Sequence, residues 1–202
     1  MRPNGGPREG VHDLVAARYS PRAFADRPIA PELLRRIFEA GRWAASAYNE
    51  QPWRWLVATR DEETGFERLL STLIPFNQGW AKHAAALSIS LARTSFERNG
   101  KPNRHAFHDV GQAASNMAIE AAANGIAIHQ MAGFDPDLVR ERGLVAPGFE
   151  AVAAIALGYP GDPASLPADL RERELALRER RPLRDVVFGA SFGQTAGFAR
   201  DR

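Results

Sequence analysis

Arg18-Tyr-Ser-Pro-Arg22 and Ser46-Ala-Tyr-Asn-Glu-Gln-Pro-Trp53 are the two stretches on which the interpretation of this chain turns. In the first, Pro21 biases Ser20 toward an extended backbone, and extended residues two apart point to the same side. Arg18, Ser20 and Arg22 would then present two guanidinium forks and a hydroxyl to one target. Guanidinium geometry suits bidentate contact with phosphate, and the hydroxyl adds a donor of adjustable direction. The same residues also fit an exposed basic turn at a helix end, where arginine favours the C-terminal dipole. The second stretch gathers small, amide and aromatic side chains ahead of a strand, a composition suited to the edge of a flat polar ring. Asn49 and Gln51 each offer a donor and an acceptor, and they equally suit a turn closed by side chain–backbone bonds. Together the two stretches point to a phosphorylated planar ligand.

Outward from these stretches, apolar spacing predicts a short amphipathic helix over Val11 to Tyr19 and another over Glu32 to Trp43, with Pro31 in its first turn. Leu33, Leu34, Ile37 and Phe38 share one face of the second helix. Strands are expected over Trp53 to Thr59, Ala84 to Ala92, Ile126 to Met131 and Ala151 to Leu157. Helices are expected over Glu62 to Ser71, Pro136 to Arg142 and the charged stretch Leu170 to Arg180. His108 to Asn124 is alanine-rich and apolar on several sides, as a buried or interfacial helix is, and Gly125 is placed to stop it. Ser95 to His105 is expected to be a mobile loop, and the tail from Val186 shows no clear pattern. This order of elements predicts mixed α and β, one sheet wrapped by helices. Residues 10–202 form a single domain in this scheme, behind a polar Pro/Gly-rich lead over residues 1–9 expected to be disordered.

The chain has 202 residues, 45% hydrophobic and 25% charged, enough for one domain with a sizeable core. It has no cysteine, so disulfides, thiolate metal sites and cysteine nucleophiles are excluded. The net charge is only +2, and the basic residues are arginine apart from Lys82 and Lys101. No apolar run is long enough to span a bilayer, and the N-terminus lacks the apolar middle of a secretory signal. A cytoplasmic protein with no membrane partner is expected. The arginine-rich stretch after Arg171 is interspersed with Glu172, Glu174, Glu179 and Asp185, unlike a nucleic-acid-binding stripe. Of the histidines (His12, His83, His105, His108 and His129), His105 and His108 with Asp109 have conceivable metal spacing, but no further ligands complete a shell. No metal site is assigned.

Five stretches together resemble the nitroreductase family of FMN-dependent oxidoreductases. They are Arg-x-Ser-x-Arg-x-Phe from Arg18 to Phe24, Asn49-Glu-Gln-Pro-Trp53, Gly125-Ile-Ala-Ile-His-Gln-Met-Ala-Gly-Phe-Asp135, Ala156-Leu-Gly-Tyr-Pro160 and Arg181-Pro-Leu-Arg-Asp-Val-Val-Phe188. The resemblance covers nearly the whole chain. It implies an α+β fold, a three-layer α/β/α sandwich with a central mixed, mainly antiparallel sheet, in a domain-swapped homodimer. The helix His108 to Asn124 would be a dimer element and the C-terminal tail would wrap the partner.

The resemblance further implies FMN as cofactor and NAD(P)H as co-substrate, with ping-pong hydride transfer through flavin N5 to a small-molecule acceptor such as a nitroaromatic or quinone. Arg18, Ser20 and Arg22 would bind the FMN phosphate, joined by Arg181 or Arg180 from the C-terminal segment. Ser46, Ala47, Asn49 and Gln51 would border the ring across the subunit interface. This chain departs from many relatives in carrying Ala45 and Ala47 in place of Pro and Ser, which removes a hydroxyl at Ala47. Asn77, ahead of a Gln-Gly-Trp turn, would face the flavin. Gln130, Met131, Ala132 and Gly133 would pass its reactive edge, Ala132 or Gly133 offering an amide to N5, with Gly133 permitting close approach. No catalytic side chain is required. Phe76, Trp80, Phe96 and Phe107 would either shape an acceptor pocket or lie in the core. Alternatives are a specialised flavin enzyme of the same fold, dehalogenase-type or flavin-degrading, or a non-catalytic flavin-binding protein.

Overall fold

The computed structural model describes residues 10–200, so the lead over residues 1–9 lies outside the described residues. The centre is a four-stranded sheet of β1 (Trp53–Thr59), β2 (Ala86–Arg93), β3 (Ala127–Met131) and β4 (Phe149–Gly158), in the order β1-β2-β4-β3. Helices α1 (Asp13–Ala17), α2 (Pro31–Arg42), α3 (Glu63–Leu70), α4 (Pro75–Ala81), α5 (Ala106–Ala123), α6 (Pro136–Glu141) and α7 (Ala168–Leu175) complete the described elements. Among the described residues no helix is long and apolar enough to cross a membrane.

Strand β2 is buried on both faces and shows why helices flank the sheet on two sides. Leu87, Ile89 and Leu91 alternate onto one face with Phe66, Leu69, Leu70, Trp80 and Val139 from α3, α4 and α6. The intervening Ala86, Ser88, Ser90 and Ala92 are small, and on that side α5 contributes the buried Ala113, Ala118 and Ala121. Small residues on both partners let the helix lie close to the strand. Helix α2 then packs over α5, burying Ile37 against Met117. The result is a three-layer arrangement, with α5 stopped at Gly125 by a left-handed turn (φ 71°).

Three expectations are corrected. The sheet is not mixed: all three pairings among the described residues are antiparallel. Strands β2 and β3 run the same way through the α5 connection, but β4 is inserted between them, so they form no parallel ladder. Asn77 does not precede a turn: Asn77, Gln78, Gly79 and Trp80 all lie within α4, which starts at Pro75, and Trp80 is a core residue, 1% exposed. The helix expected to run to Arg180 ends at Leu175, where Ala176 turns extended (φ −60°, ψ 146°). Only Leu170 of α7 is buried, and a polar helix this short gains little from continuing. The Ser95 to His105 segment is a compact turn, closed by a Ser95–Pro102 bridge and by the Gly100 amide on the Phe96 carbonyl at 2.7 Å.

Candidate functional site

Arg18 leaves α1 in an extended conformation (φ −61°, ψ 123°). Its Nη1 donates to Ser20 Oγ at 3.4 Å, so these two side chains share a side as the alternation requires. With Arg22 they line a cleft of about 200 Å³ whose other walls include Arg173, Glu174, Arg178 and Arg180. Arg181 is exposed and is not among the lining residues. Burial depresses the Arg18 pKa below the ordinary guanidinium value, and the neighbouring Arg178 and Arg180 charges push the same way. The Arg22 Nε–H is buried and finds no acceptor among the described residues.

Side chains from distant elements hold this loop. Arg178 donates from Nη1 to the Arg18 carbonyl (2.6 Å) and from Nη2 to the Ala16 carbonyl (2.7 Å), drawing the chain after α7 over the loop. Glu174 Oε2 accepts the Arg22 amide at 2.9 Å, and burial raises its pKa above the usual carboxylate value despite that bond. Beyond Arg22 the chain docks on the end of β4: the Ala25 amide donates to the Tyr159 carbonyl and the Gly161 amide to the Ala23 carbonyl, both at 2.8 Å. A Cβ on Gly161 would sit 2.6 Å from the Phe24 carbonyl carbon, which explains the glycine after Tyr159-Pro160.

The same region receives β3. His129 Nδ1 lies 2.8 Å from the Pro21 carbonyl in the middle of the loop. Desolvation lowers the His129 pKa to about 4, and the Arg22 charge adds to the effect, so the imidazole is neutral at pH 7. Gln130 and Ala132 are exposed, whereas the Met131 side chain is packed in the core, so only its backbone is available to a ligand. Asn77 is buried, accepts from Trp80 Nε1 at 3.2 Å and donates Nδ2–H to the Gly133 carbonyl at 2.9 Å. Both ends of its side chain are thus engaged with the protein. A Cβ on Gly133 would lie 2.8 Å from Ile74 Cδ1 and closer still to Asn77 Nδ2, so this glycine is already required by its own chain.

Ser46 to Gln51 is not part of this cluster. It forms a turn in which Tyr48 (φ 55°), Asn49 (φ 55°) and Gln51 (φ 50°) all adopt left-handed backbone, a conformation that costs L residues on the order of 1–3 kcal/mol each. Ser46 Oγ accepts the Gln51 amide at 3.0 Å, and Gln51 Nε2 donates to the Asn49 carbonyl at 3.3 Å. The buried Asp109, in the first turn of α5, accepts the Ala47 amide at 3.0 Å. Tyr48 is left 76% exposed, with the Arg98 guanidinium 4.0 Å above its ring. Ala118 and Ala122, near the other end of α5, share a hollow of about 170 Å³ with Arg18 and Tyr19. Asp109 and Ala122 are 13 positions apart, which corresponds to about 20 Å of helix. Within one chain, therefore, the turn and the arginine cleft lie at opposite ends of α5.

The family model described as "Nitroreductase family" matches residues 15–159, from α1 to the Tyr159 on which the arginine loop docks. The chain belongs to the nitroreductase family. A solved structure described as an oxidoreductase containing FMN superposes with a TM-score of 0.89 at 34% identity, covering 96% of this chain and 99% of that one. An NADH dehydrogenase of Thermus thermophilus is 31% identical over 177 residues, 72% of this chain and 84% of that protein. An uncharacterized 15.4 kDa protein of Mycolicibacterium smegmatis is 32% identical over 146 residues, 69% of this chain and 97% of that protein. Within this nitroreductase fold, the roles of Glu174, Arg178 and Asp109 were not foreseen. Glu174 and Arg178 sit in a run of mixed charge that resembles a solvated face. Asp109 had a weak signal, an acidic residue in the first turn of an alanine-rich helix.

Proposed function

We propose that this nitroreductase-family protein is an FMN-dependent NAD(P)H oxidoreductase that delivers electrons to nitroaromatic, quinone or related small acceptors. The strongest support is Arg22: a buried guanidinium N–H without an acceptor among the described residues, in a cleft whose described lining has four further arginines and one carboxylate. Such a site calls for an anion, and a phosphate monoester supplies both the charge and terminal oxygens that planar guanidinium groups can grip in pairs. Arg18, Ser20 and Arg22 would hold the phosphate, with Arg180 as the added cation from the arm after α7.

Bound FMN would supply the hydride chemistry, accepting reducing equivalents from NAD(P)H and passing them to the acceptor. The chain's own part is to bind, orient and expose. Gln130 and the backbone of Ala132 and Gly133 continue from His129, which touches the anion loop, and would border the ring. Ser46, Asn49 and Gln51 lie at the other end of α5 from the arginine cleft and would complete the site from a second copy, making the working unit a homodimer. Asp109 and Ser46 Oγ hold that turn in its left-handed conformation.

The deciding experiment is an anaerobic absorbance spectrum of the FMN-saturated, desalted protein before and after NADPH and then NADH. A retained flavin spectrum that bleaches with either nucleotide is expected. Absence of retained flavin would overturn the assignment.

A further inference from the structure

His129 makes two contacts that lead in different directions. The Pro21 carbonyl 2.8 Å from Nδ1 can only accept, so Nδ1 carries the proton of the neutral ring. The ring also packs on Trp80, with centroids 4.6 Å apart and planes inclined by 36°. Trp80 stacks on Phe24 as well, at 6.3 Å. Its Nε1–H donates to Asn77 Oδ1 (3.2 Å), and Asn77 Nδ2–H donates to the Gly133 carbonyl (2.9 Å). That carbonyl also takes the Ile74 amide at 3.1 Å. A contiguous series of contacts therefore runs from the middle of the arginine loop to the turn after β3. It has little slack, because the space beside Gly133 is already filled by Ile74 and Asn77.

We propose that His129 is a positioning residue that couples the Arg18 to Arg22 anion loop to the Ala132–Gly133 turn, so that a ligand's anion and its ring edge are recognised as one cooperative unit. The inference rests on the FMN assignment above for the identity of that ligand, but the coupling is a property of the chain. Histidine suits the position because it combines a donor for Pro21 with a flat ring for Trp80. Phenylalanine would keep the stack and leave the buried carbonyl without its donor. Asparagine would keep a donor and lose the stack. Arg22, the charged neighbour on the loop side, disfavours an imidazolium and so keeps the ring neutral, while the Pro21 carbonyl sets its tautomer.

The test is a double-mutant cycle on FMN affinity, read by flavin fluorescence, with His129→Phe, Asn77→Ala and the double variant, repeated with His129→Asn. Each single change is expected to weaken FMN by about tenfold, the scale of one lost buried hydrogen bond. The double variant should fall at least roughly threefold short of the product, because the two residues act through one connection. Additive losses in both cycles would overturn the coupling. A second readout uses FMN-free protein and inorganic phosphate as the probe, which can occupy only the loop. Phosphate is expected to shift the Trp80 indole and Gly133 amide resonances in the wild type and not in His129→Phe. A wild-type Gly133 resonance indifferent to phosphate would also overturn it. Should the wild type bind no FMN, the cofactor assignment fails by itself and the phosphate titration alone decides the coupling.

Discussion

Glu174 Oε2 accepts the backbone amide of Arg22 at 2.9 Å across 152 residues of sequence. The one carboxylate among the cleft-lining residues thus caps the loop that supplies the arginines. It organises the loop, yet it places negative charge where an anion is expected. Burial raises its pKa, outweighing the backbone amides of Arg22 and Ala23 and the Arg22 charge.

Glu174→Gln keeps an acceptor for the Arg22 amide and removes the charge. FMN affinity measured by fluorescence titration should rise by roughly threefold or more, whereas Glu174→Ala, which leaves the amide unpaired, should lower it. Weaker binding by the Gln variant would show that the charge itself is needed.

Arg22 and Arg98 provide a direct comparison. Arg22 holds a buried N–H without an acceptor among the described residues, while Arg98 is exposed over the Tyr48 ring. Arg22→Ala should reduce the FMN retained after desalting far more than Arg98→Ala, by about tenfold or more in affinity if a charge-assisted bond is lost. Equal occupancy in the two purified variants would sink the phosphate assignment.

Acid stability should report on His129. Its pKa falls from the ordinary 6.5 to about 4 in the folded chain. The unfolded chain therefore takes up a proton below pH 6.5 that the native state refuses until about pH 4. Stability is lost across that window, by roughly 3 kcal/mol at its lower end. Denaturant midpoints compared at pH 7.5 and 4.5 should drop further in the wild type than in His129→Asn, which cannot titrate. Identical drops would mean the imidazole is protonated without cost.

Asp109 is 2% exposed and holds the Ala47 amide at 3.0 Å. Asp109→Ala should cost about 1–3 kcal/mol, seen as a fall in Tm of roughly 3–10 °C for a domain of this size. Asp109→Asn keeps an acceptor and should lose much less. A neutral Ala variant would show that the Ser46 to Gln51 turn holds its left-handed residues unaided.

Gly161→Ala tests the docking of the arginine loop on β4. The added Cβ meets Phe24 backbone at 2.6 Å, and backbone yields less readily than a side-chain tip. A loss of about 1–3 kcal/mol is expected, together with weaker FMN retention. Unchanged retention would mean the loop is held without the Ala23–Gly161 hydrogen bond.

The strand Trp53–Thr59 was readable residue for residue, because an aromatic and β-branched run follows a proline and lies between turn residues. Helix α5 was readable to within two residues at its start, and its stop at Gly125 was local chemistry. The seven-residue α4 was not: it contains Asn77 and Gly79, both poor helix formers, and only Pro75 at its first position marks it. The side-chain roles within the sites divide in the same way. Arg18 and Ser20 meet because alternation in an extended backbone places them together. Arg180 lines the cleft and Arg181 does not, a distinction of one residue that spacing in an irregular arm cannot make.

Motif chemistry, the alternation of layers and the family were contained in the chain itself, since each depends on residues within a few positions of one another or on the order of motifs. Tertiary structure decided the rest. It inserted β4 between β2 and β3, set the two conspicuous sequence stretches at opposite ends of α5, and brought Glu174 and His129 onto the arginine loop from 152 and 108 residues away. These pairings follow from the burial of both faces of one sheet, and no local pattern encodes which distant carboxylate or imidazole that burial will bring to a given backbone group.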